Sequence, residues 1–273
     1  MSWIWSALMP HPPIIVPEVG RGREREAAVT LDGVGRLMER LSERRPDCLF
    51  LLSPHQPYTG GGIFVNTAPR LRGSLAPFGA PSVAFDVTPP GNLPLLAGHL
   101  AKNGFAVRAG ESPDLTRDQG TLVPLFFLRD AWQKRSEPLP SVVPASPIGL
   151  DPASALRLGD VLASFDDGAD WGLLASGDLS HRLTPDAPAG YSPAGKKFDE
   201  AVVAALSSLD PQILSTLSQK ELEDAGECGL RSVLAMLGLS RTLGKAIEVL
   251  SYEGPFGVGY CSAFSDLKNS GGR

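Results

Sequence analysis

The sequence is poor in the features that define several classes of protein. Of its 273 residues only three are cysteines (Cys48, Cys228 and Cys261), and none of them has CxxC spacing. Neither a disulfide framework nor a structural zinc site is expected, and so few thiols suit a reducing cytoplasm. Positive charge is not in excess either, because 25 Lys and Arg against 30 Asp and Glu give a net charge of −5. We therefore expect neither nucleic acid nor an anionic membrane surface as a partner.

Long apolar runs are lacking as well. No segment reaches the roughly 18 uninterrupted apolar residues that predict a membrane-spanning helix. The apolar start, MSWIWSALM, has no basic region before it and no small-residue cleavage site, so it predicts a first strand and not a signal peptide. With 42% hydrophobic residues, the composition is typical of a globular protein. We expect a cytoplasmic protein without a membrane partner.

What the sequence does contain is an alternation of strand and helix patterns. Apolar runs bounded by Pro, Gly, Ser or Asp predict buried strands at 2–9, 48–52, 62–67, 82–87, 141–143, 171–175 and 246–250. Apolar residues at steps of three and four predict helices at 27–41, 93–102, 152–164, 194–206 and about 227–238. The alternation predicts a single-domain layered α/β sandwich over residues 1–273, with a central, mostly parallel or mixed sheet.

Only four histidines occur, and three of them follow predicted strands. They are His11 in MPHPP, His55 in SPHQP and His181 in SGDLSH. Ligands of α/β sheets bind outside the carboxyl ends of the strands, so these imidazoles are candidates for one shared pocket. The common alternative, a histidine that only makes hydrogen bonds in its loop, is about equally well supported by the pattern. The fourth, His99, lies in a predicted helix and is expected to be structural or exposed.

A carboxylate would complete one familiar type of metal site. Two imidazoles and one carboxylate form the facial triad of non-haem Fe(II) sites, which leaves coordination positions open. The candidates are Asp178 and Glu227. Glu227 precedes a predicted helix, where a carboxylate also interacts favourably with the helix dipole. From the pattern alone, this structural role is the favoured one for Glu227.

At these residues the sequence resembles a known family. MPHPPIIVPEVG, LLSPHQPY, DQGTLVPLFFL, LASGDLSHRL, AGECGLRS and SYEGPFGVGYCSAF are similar, in this order, to blocks of the class III extradiol dioxygenase B-subunit (LigB-like) superfamily. The similarity covers nearly the whole chain and is greatest to the Memo-like and AmmeMemoRadiSam branch. It implies a LigB-like fold and a non-haem Fe(II)-dependent dioxygenase that opens a catecholic ring. The implied partners are a small aromatic substrate and O₂.

The resemblance also implies roles for individual residues. His11, His55 and Glu227 match the metal ligands of active family members. His181 matches the acid/base histidine, which would take a proton from the catechol. Asp178 matches a carboxylate that Memo-like relatives carry three residues before that histidine. Some relatives are homodimers or have a small helical partner subunit, and both arrangements are open for this chain.

Two departures from the family pattern keep alternatives open. Gln119 stands where many members have a histidine; it can donate a hydrogen bond but cannot titrate, so altered substrate choice or weaker catalysis is expected. Cys228 matches a cysteine of Memo-like proteins and is the alternative third ligand to Glu227, which we prefer because ring-cleaving members use a carboxylate. A thiolate would favour zinc or copper(I).

The alternative function is therefore a Memo-like metal-binding or regulatory protein without ring cleavage. A metal-dependent hydrolase is a third interpretation, although no nucleophile motif supports it.

Overall fold

The computed structural model describes residues 2–58 and 60–268, and its strands and helices are interspersed along the chain. The strands are β1 (Trp3–Met9), β2 (Cys48–Leu52), β3 (Ile63–Asn66), β4 (Leu71–Leu75), β5 (Ala80–Val87), β6 (Val107–Gly110), β7 (Ser141–Ser146), β8 (Trp171–Ser176), β9 (Glu248–Glu253) and β10 (Tyr260–Asp266). The helices are α1 (Pro17–Gly20), α2 (Ala28–Ser42), α3 (Leu93–Lys102), α4 (Gln119–Gln133), α5 (Pro152–Leu162), α6 (Pro193–Ser208), α7 (Gln212–Ser215), α8 (Gln219–Ala225) and α9 (Leu230–Thr242).

Eight of these strands form one mixed sheet, in the order β6-β3-β7-β2-β8-β1-β10-β9. The central strands β7, β2, β8 and β1 are parallel to one another. On one side β10 and β9 continue the sheet in antiparallel fashion, and on the other β3 is antiparallel to β7 and parallel to β6. β4 and β5 form a separate antiparallel hairpin. Because β2, β8 and β1 are adjacent and parallel, their carboxyl ends lie side by side at one edge of the sheet.

Helices cover both faces of the sheet. The run Cys48–Leu52 shows why its strand is apolar throughout: Phe50 and Leu52 lie in the core beneath α3, α5, α6 and α9, while Leu49 and Leu51 lie in the core beneath α2, α4 and the β4–β5 hairpin. Successive side chains of a strand point to opposite faces, so a strand covered on both faces needs apolar residues at every position. The expected layered α/β sandwich with a mixed, centrally parallel sheet is confirmed.

The packing of α5 on α9 depends on two glycines. A Cβ atom on Gly159 would lie 2.1 Å from the carbonyl oxygen of Ala235, and one on Gly238 would lie 2.2 Å from that of Leu156. The two backbones therefore approach more closely than any larger residue would allow. This contact fixes α9, whose amino-terminal end follows the loop that carries Glu227 and Cys228.

The sequence patterns located most elements but not all. The strand at 48–52 and the helix at 93–102 lie where they were expected. The strand expected at 82–87 exists, but it belongs to the separate hairpin and not to the main sheet. The helix expected from Glu227 begins at Leu230, and α4 was not expected at all. In the part of the chain that the structure describes, no helix combines the length and apolarity needed to cross a membrane.

Candidate metal centre

Three loops at the carboxyl ends of adjacent strands bring the candidate residues together. His11 follows β1, His55 follows β2, and Asp178 and His181 follow β8. His181 is close enough to both other histidines to lower their pKa values. The three imidazoles that the sequence placed after strands therefore share one site. His99 lies outside it, on α3, with Nε2 2.9 Å from the carbonyl oxygen of Val161.

His11 and His55 face each other through their Nε2 atoms, which are 3.1 Å apart. Their rings meet edge to face, with an interplanar angle of 78°. Burial lowers the pKa of His11 to about 4, and burial together with the proximity of His11 lowers that of His55 to about 4. Both rings are therefore neutral near pH 7, which is the state in which imidazole binds metals. The Nδ1 of His11 is 2.9 Å from the hydroxyl of Ser176, a contact that orients the ring.

Asp178 and Cys228 approach the same imidazole from other sides. The carboxylate of Asp178 accepts the backbone N–H of His11 at 2.8 Å, and its second oxygen lies 4.0 Å from His11 Nε2. The sulfur of Cys228 is 3.8 Å from that nitrogen. Burial raises the pKa of Asp178 and raises that of Cys228 well above the usual thiol range. A bound cation would offset both effects, because it stabilises the ionised forms.

Glu227 has different partners. Its carboxylate accepts the backbone N–H of Leu230 at 2.6 Å, at the first residue of α9, and lies 3.5 Å from the guanidinium of Arg231. Burial raises its pKa. Within residues 2–58 and 60–268, no hydrogen bond or ion pair joins Glu227 to His11 or His55. The structure thus places Glu227 at the start of a helix and its neighbour Cys228 beside His11.

His181 is held by its Nδ1 atom, which lies 2.8 Å from the carbonyl oxygen of Gly226. A carbonyl oxygen can only accept a hydrogen bond, so Nδ1 carries the proton and Nε2 carries the lone pair that can take a second one. The backbone of this loop is fixed through Ser180, whose hydroxyl donates to the carbonyl of Ala225 at 2.7 Å and whose N–H donates to Asp199 at 2.8 Å. The loop after β8 and the loop before α9 therefore form one unit.

Gln119 is the first residue of α4, and its side-chain nitrogen lies 3.1 Å from Nε2 of His55. An amide N–H in this position donates to the lone pair that a metal ion would also use. The structure therefore places Gln119 at the site, where the resemblance expected it, and in direct contact with a candidate ligand.

These residues fit a metal ion by their chemistry. Two ligands, each about 2.1 Å from one ion and roughly at right angles to each other, are about 3 Å apart, which matches the His11–His55 separation. The Cys228 thiol and the Asp178 carboxyl lie beside His11, and each is an anionic donor when it is ionised. Across the described residues, 2–58 and 60–268, no three histidine, cysteine or carboxylate side chains are already arranged as a complete ligand set. The imidazole pair is in place, and a third donor would have to move toward it.

Several polar residues of the site region escaped the sequence patterns. Ser176 orients His11, and Asp199, in contact with Ser180, also accepts the hydroxyl of Tyr252 at 2.8 Å. Asp199 did have a signal, because it occupies a buried position of α6 next to the core residue Phe198. A carboxylate on the apolar face of a predicted helix indicates a buried polar partner, since an unpartnered one would be costly.

Comparison with known proteins identifies the family. The family model described as "Catalytic LigB subunit of aromatic ring-opening dioxygenase" matches residues 6–263, so the chain belongs to this family. A curated relative, Protein CA_C1420 of Clostridium acetobutylicum, is 31% identical over 265 residues, which cover 93% of this chain and 55% of that protein. The chain thus spans about half the length of the curated relative it matches.

A solved structure has the same fold. The uncharacterized protein JW3007 from Escherichia coli K12 superposes with a TM-score of 0.62 at 17% identity, covering 96% of this chain and 99% of that one. At this level of identity, the likeness concerns the architecture and not the activity.

Proposed function

We propose that the chain is a non-haem Fe(II)-dependent extradiol dioxygenase that opens the ring of a catecholic substrate with O₂. The observation that carries the proposal is the pair of neutral imidazoles of His11 and His55, with Nε2 atoms 3.1 Å apart, in the same site as a third histidine whose Nδ1 is held by the carbonyl oxygen of Gly226. Membership of the ring-opening dioxygenase family supports the reaction class. A homodimer or a small helical partner subunit, like the cytoplasmic location, remains a prediction from the sequence.

In this proposal His11 and His55 hold the metal ion, and one anionic residue completes the set. Glu227 would have to leave the N–H of Leu230 and the charge of Arg231 to reach it. Cys228 already contacts His11, so the geometry favours Cys228 over Glu227 as the third donor. The chemistry that Fe(II) supplies when bound is joint activation of O₂ and a chelating aromatic diol.

The remaining residues act on protons and on orientation. His181 takes a proton from a catechol hydroxyl through its Nε2 and later returns it, which is the work of a general acid/base residue. Its position is set by the hydrogen bond from Nδ1 to Gly226. Gln119 donates a hydrogen bond toward the substrate or an oxygen atom derived from O₂. Asp178 holds the backbone of His11 and faces its ring.

One observation favours a second function. The sulfur of Cys228 lies beside His11, whereas Glu227 is engaged elsewhere, and a thiolate donor favours zinc or copper(I) over oxygenase chemistry. A Memo-like metal-binding or regulatory protein without ring cleavage would have this ligand set. The identity of the bound metal and the response to catechols separate the two functions.

The test uses protein purified without oxygen and reconstituted with Fe(II). Metal content and ring cleavage of a catechol panel in air are measured for the wild type, His11→Ala, His181→Ala and the control His99→Ala. We expect stoichiometric iron and a yellow ring-opened product for the wild type and the control, no iron in His11→Ala, and iron without product in His181→Ala. A wild type that holds zinc and leaves every catechol intact would support the second function and overturn the first.

A further inference from the structure

Asp118 is a buried carboxylate behind the candidate metal centre. It is the N-cap residue of α4 and is only 3% exposed. One oxygen accepts the hydroxyl of Ser53 at 2.5 Å and the backbone N–H of Thr121 at 3.0 Å, and the other accepts the side-chain amide of Gln56 at 2.5 Å. Within the described residues it forms no ion pair. Burying a carboxylate that is held by hydrogen bonds alone is costly. An exposed residue caps a helix equally well, so capping α4 does not explain why Asp118 is buried.

The carboxylate is connected to both residues on the His55 side of the centre. The Ser53 hydroxyl that donates to Asp118 also accepts the backbone N–H of His55, at 3.2 Å. Gln119, whose amide lies 3.1 Å from His55 Nε2, is the next residue in the chain and begins the helix that Asp118 caps. The Asp118 side chain therefore fixes the backbone of the candidate ligand His55 and the position of Gln119 at the start of α4.

The contact between α4 and the His55 loop leaves no spare room. A Cβ atom on Gly120 would lie 2.3 Å from the Ser53 hydroxyl and 3.2 Å from the ring of His55. A larger residue at position 120 would have to displace the Ser53 hydroxyl, which joins Asp118 to the backbone of His55. The hydrogen bonds of Asp118 thus act across a tightly packed junction, in which a small movement of the loop would move the imidazole.

Asp118 also fixes the direction of a chain of hydrogen bonds. A carboxylate can only accept, so Gln56 presents its nitrogen to Asp118 and its oxygen to the amide of Asn66, at 2.9 Å. The oxygen of Asn66 then accepts the backbone N–H groups of Ala68 and Ser112, at 3.2 and 3.3 Å. An asparagine at position 118 would either place its own N–H group opposite that of Gln56 or force the amides of Gln56 and Asn66 to turn over.

We propose that Asp118 is a positioning residue of the metal centre, which holds His55 and Gln119 in the orientation that metal binding requires. The inference rests on the proposed metal-binding function. Residues that orient metal ligands typically change metal affinity by about 10- to 100-fold when they are replaced. The same range is expected for Asp118.

The test compares two helix N-caps of the same residue type. Asp151 caps α5, accepting the N–H of Ser154 at 2.9 Å, and it is exposed. Asp118→Asn and Asp151→Asn are each titrated with Co(II) against a competing chelator, while the visible spectrum reports the ligand geometry and urea unfolding reports stability. We expect Asp118→Asn to bind Co(II) about 10- to 100-fold more weakly with an altered spectrum, and Asp151→Asn to match the wild type.

A second variant guards against misfolding. Ser53→Ala removes only the hydroxyl that joins Asp118 to the backbone of His55, so it too should weaken Co(II) binding, even if Asp118→Asn does not fold. Folded Asp118→Asn and Ser53→Ala proteins with wild-type Co(II) affinity would overturn the role of Asp118 and leave the metal centre standing. A wild type that binds no Co(II) would overturn the centre itself, and the role of Asp118 with it.

Discussion

The sulfur of Cys228 lies 3.8 Å from Nε2 of His11, although the adjacent carboxylate of Glu227 faces the first N–H of α9. Two neighbouring residues thus point in different directions, one into the candidate metal centre and one to a helix terminus. This arrangement makes the two side chains separable by mutation.

Glu227→Ala should lower the stability of the protein, whereas Cys228→Ser should lower its affinity for the metal ion. Loss of Glu227 removes an acceptor at the start of α9, and losses of this kind cost about 0.5–2 kcal/mol of the free energy of unfolding. Loss of the Cys228 sulfur should lower metal affinity at little cost in stability. Urea unfolding and metal content of both variants are the measurements. Normal iron in Cys228→Ser together with iron-free Glu227→Ala would reverse the assignment.

Gln119→His should raise the rate of ring cleavage. The Gln119 amide lies next to His55 but cannot exchange a proton, whereas an imidazole in its place can. General acid/base groups typically contribute factors of about 10² to 10⁴, so we expect a gain of at least about 10-fold in kcat. Steady-state assays at several pH values would show this gain together with a new pH dependence. Gln119→Ala is the control, and an equal gain in both variants would contradict the proton-transfer explanation.

Asp199→Asn should flatten the dependence of stability on pH. Burial raises the pKa of Asp199 from 3.8 to about 7. A raised folded-state pKa means that the stabilising contribution of Asp199 is full below about pH 4 and is lost as the pH rises through about 7. The wild type should therefore lose stability relative to Asp199→Asn across this window, by up to about 1.4 kcal/mol per pH unit.

Urea unfolding of both proteins between pH 4 and 8 measures this difference. An asparagine can still accept the N–H of Ser180 and can donate to the oxygen of Tyr252, so the local structure should survive. A stability difference that stays constant with pH would show that Asp199 titrates at its ordinary value.

Gly159→Ala should destabilise the protein, because the new methyl group would meet the carbonyl oxygen of Ala235. Overpacking of this kind costs about 1–3 kcal/mol. Gly98 is the matched control: it also lies within a helix, α3, but a Cβ there meets no atom within 4 Å. Gly98→Ala should instead stabilise by about 0.5–1 kcal/mol. Thermal unfolding of the two variants and the wild type measures both changes in stability, a loss for Gly159→Ala and a gain for Gly98→Ala.

The sequence by itself determined the fold class and three members of the candidate site. The unbroken apolar run of β2 indicated a strand covered on both faces, and the structure has it buried between two cores. His11, His55 and His181 were placed after strands, and parallel neighbouring strands necessarily carry such residues to one edge. These conclusions rest on local periodicity and chain direction, which the sequence contains in full.

Helix α4 shows where periodicity fails. Its residues 120–125 are all buried, so the apolar positions show no single face. Pro124 also lies within the helix and argues against one. Besides the N-cap Asp118, this helix depends on contacts with the neighbouring layers, which no local pattern reveals.

Tertiary structure alone decided which residue faces His11. Glu227 and Cys228 are consecutive, and the path of their loop depends on Gly226, whose φ is 62°, and on a close approach in which a Cβ on Gly177 would lie 2.4 Å from Gly229. A change of one residue in that path reverses which side chain enters the site. The path is set by contact with a loop about 50 residues away in the chain, and short-range sequence patterns do not predict such contacts.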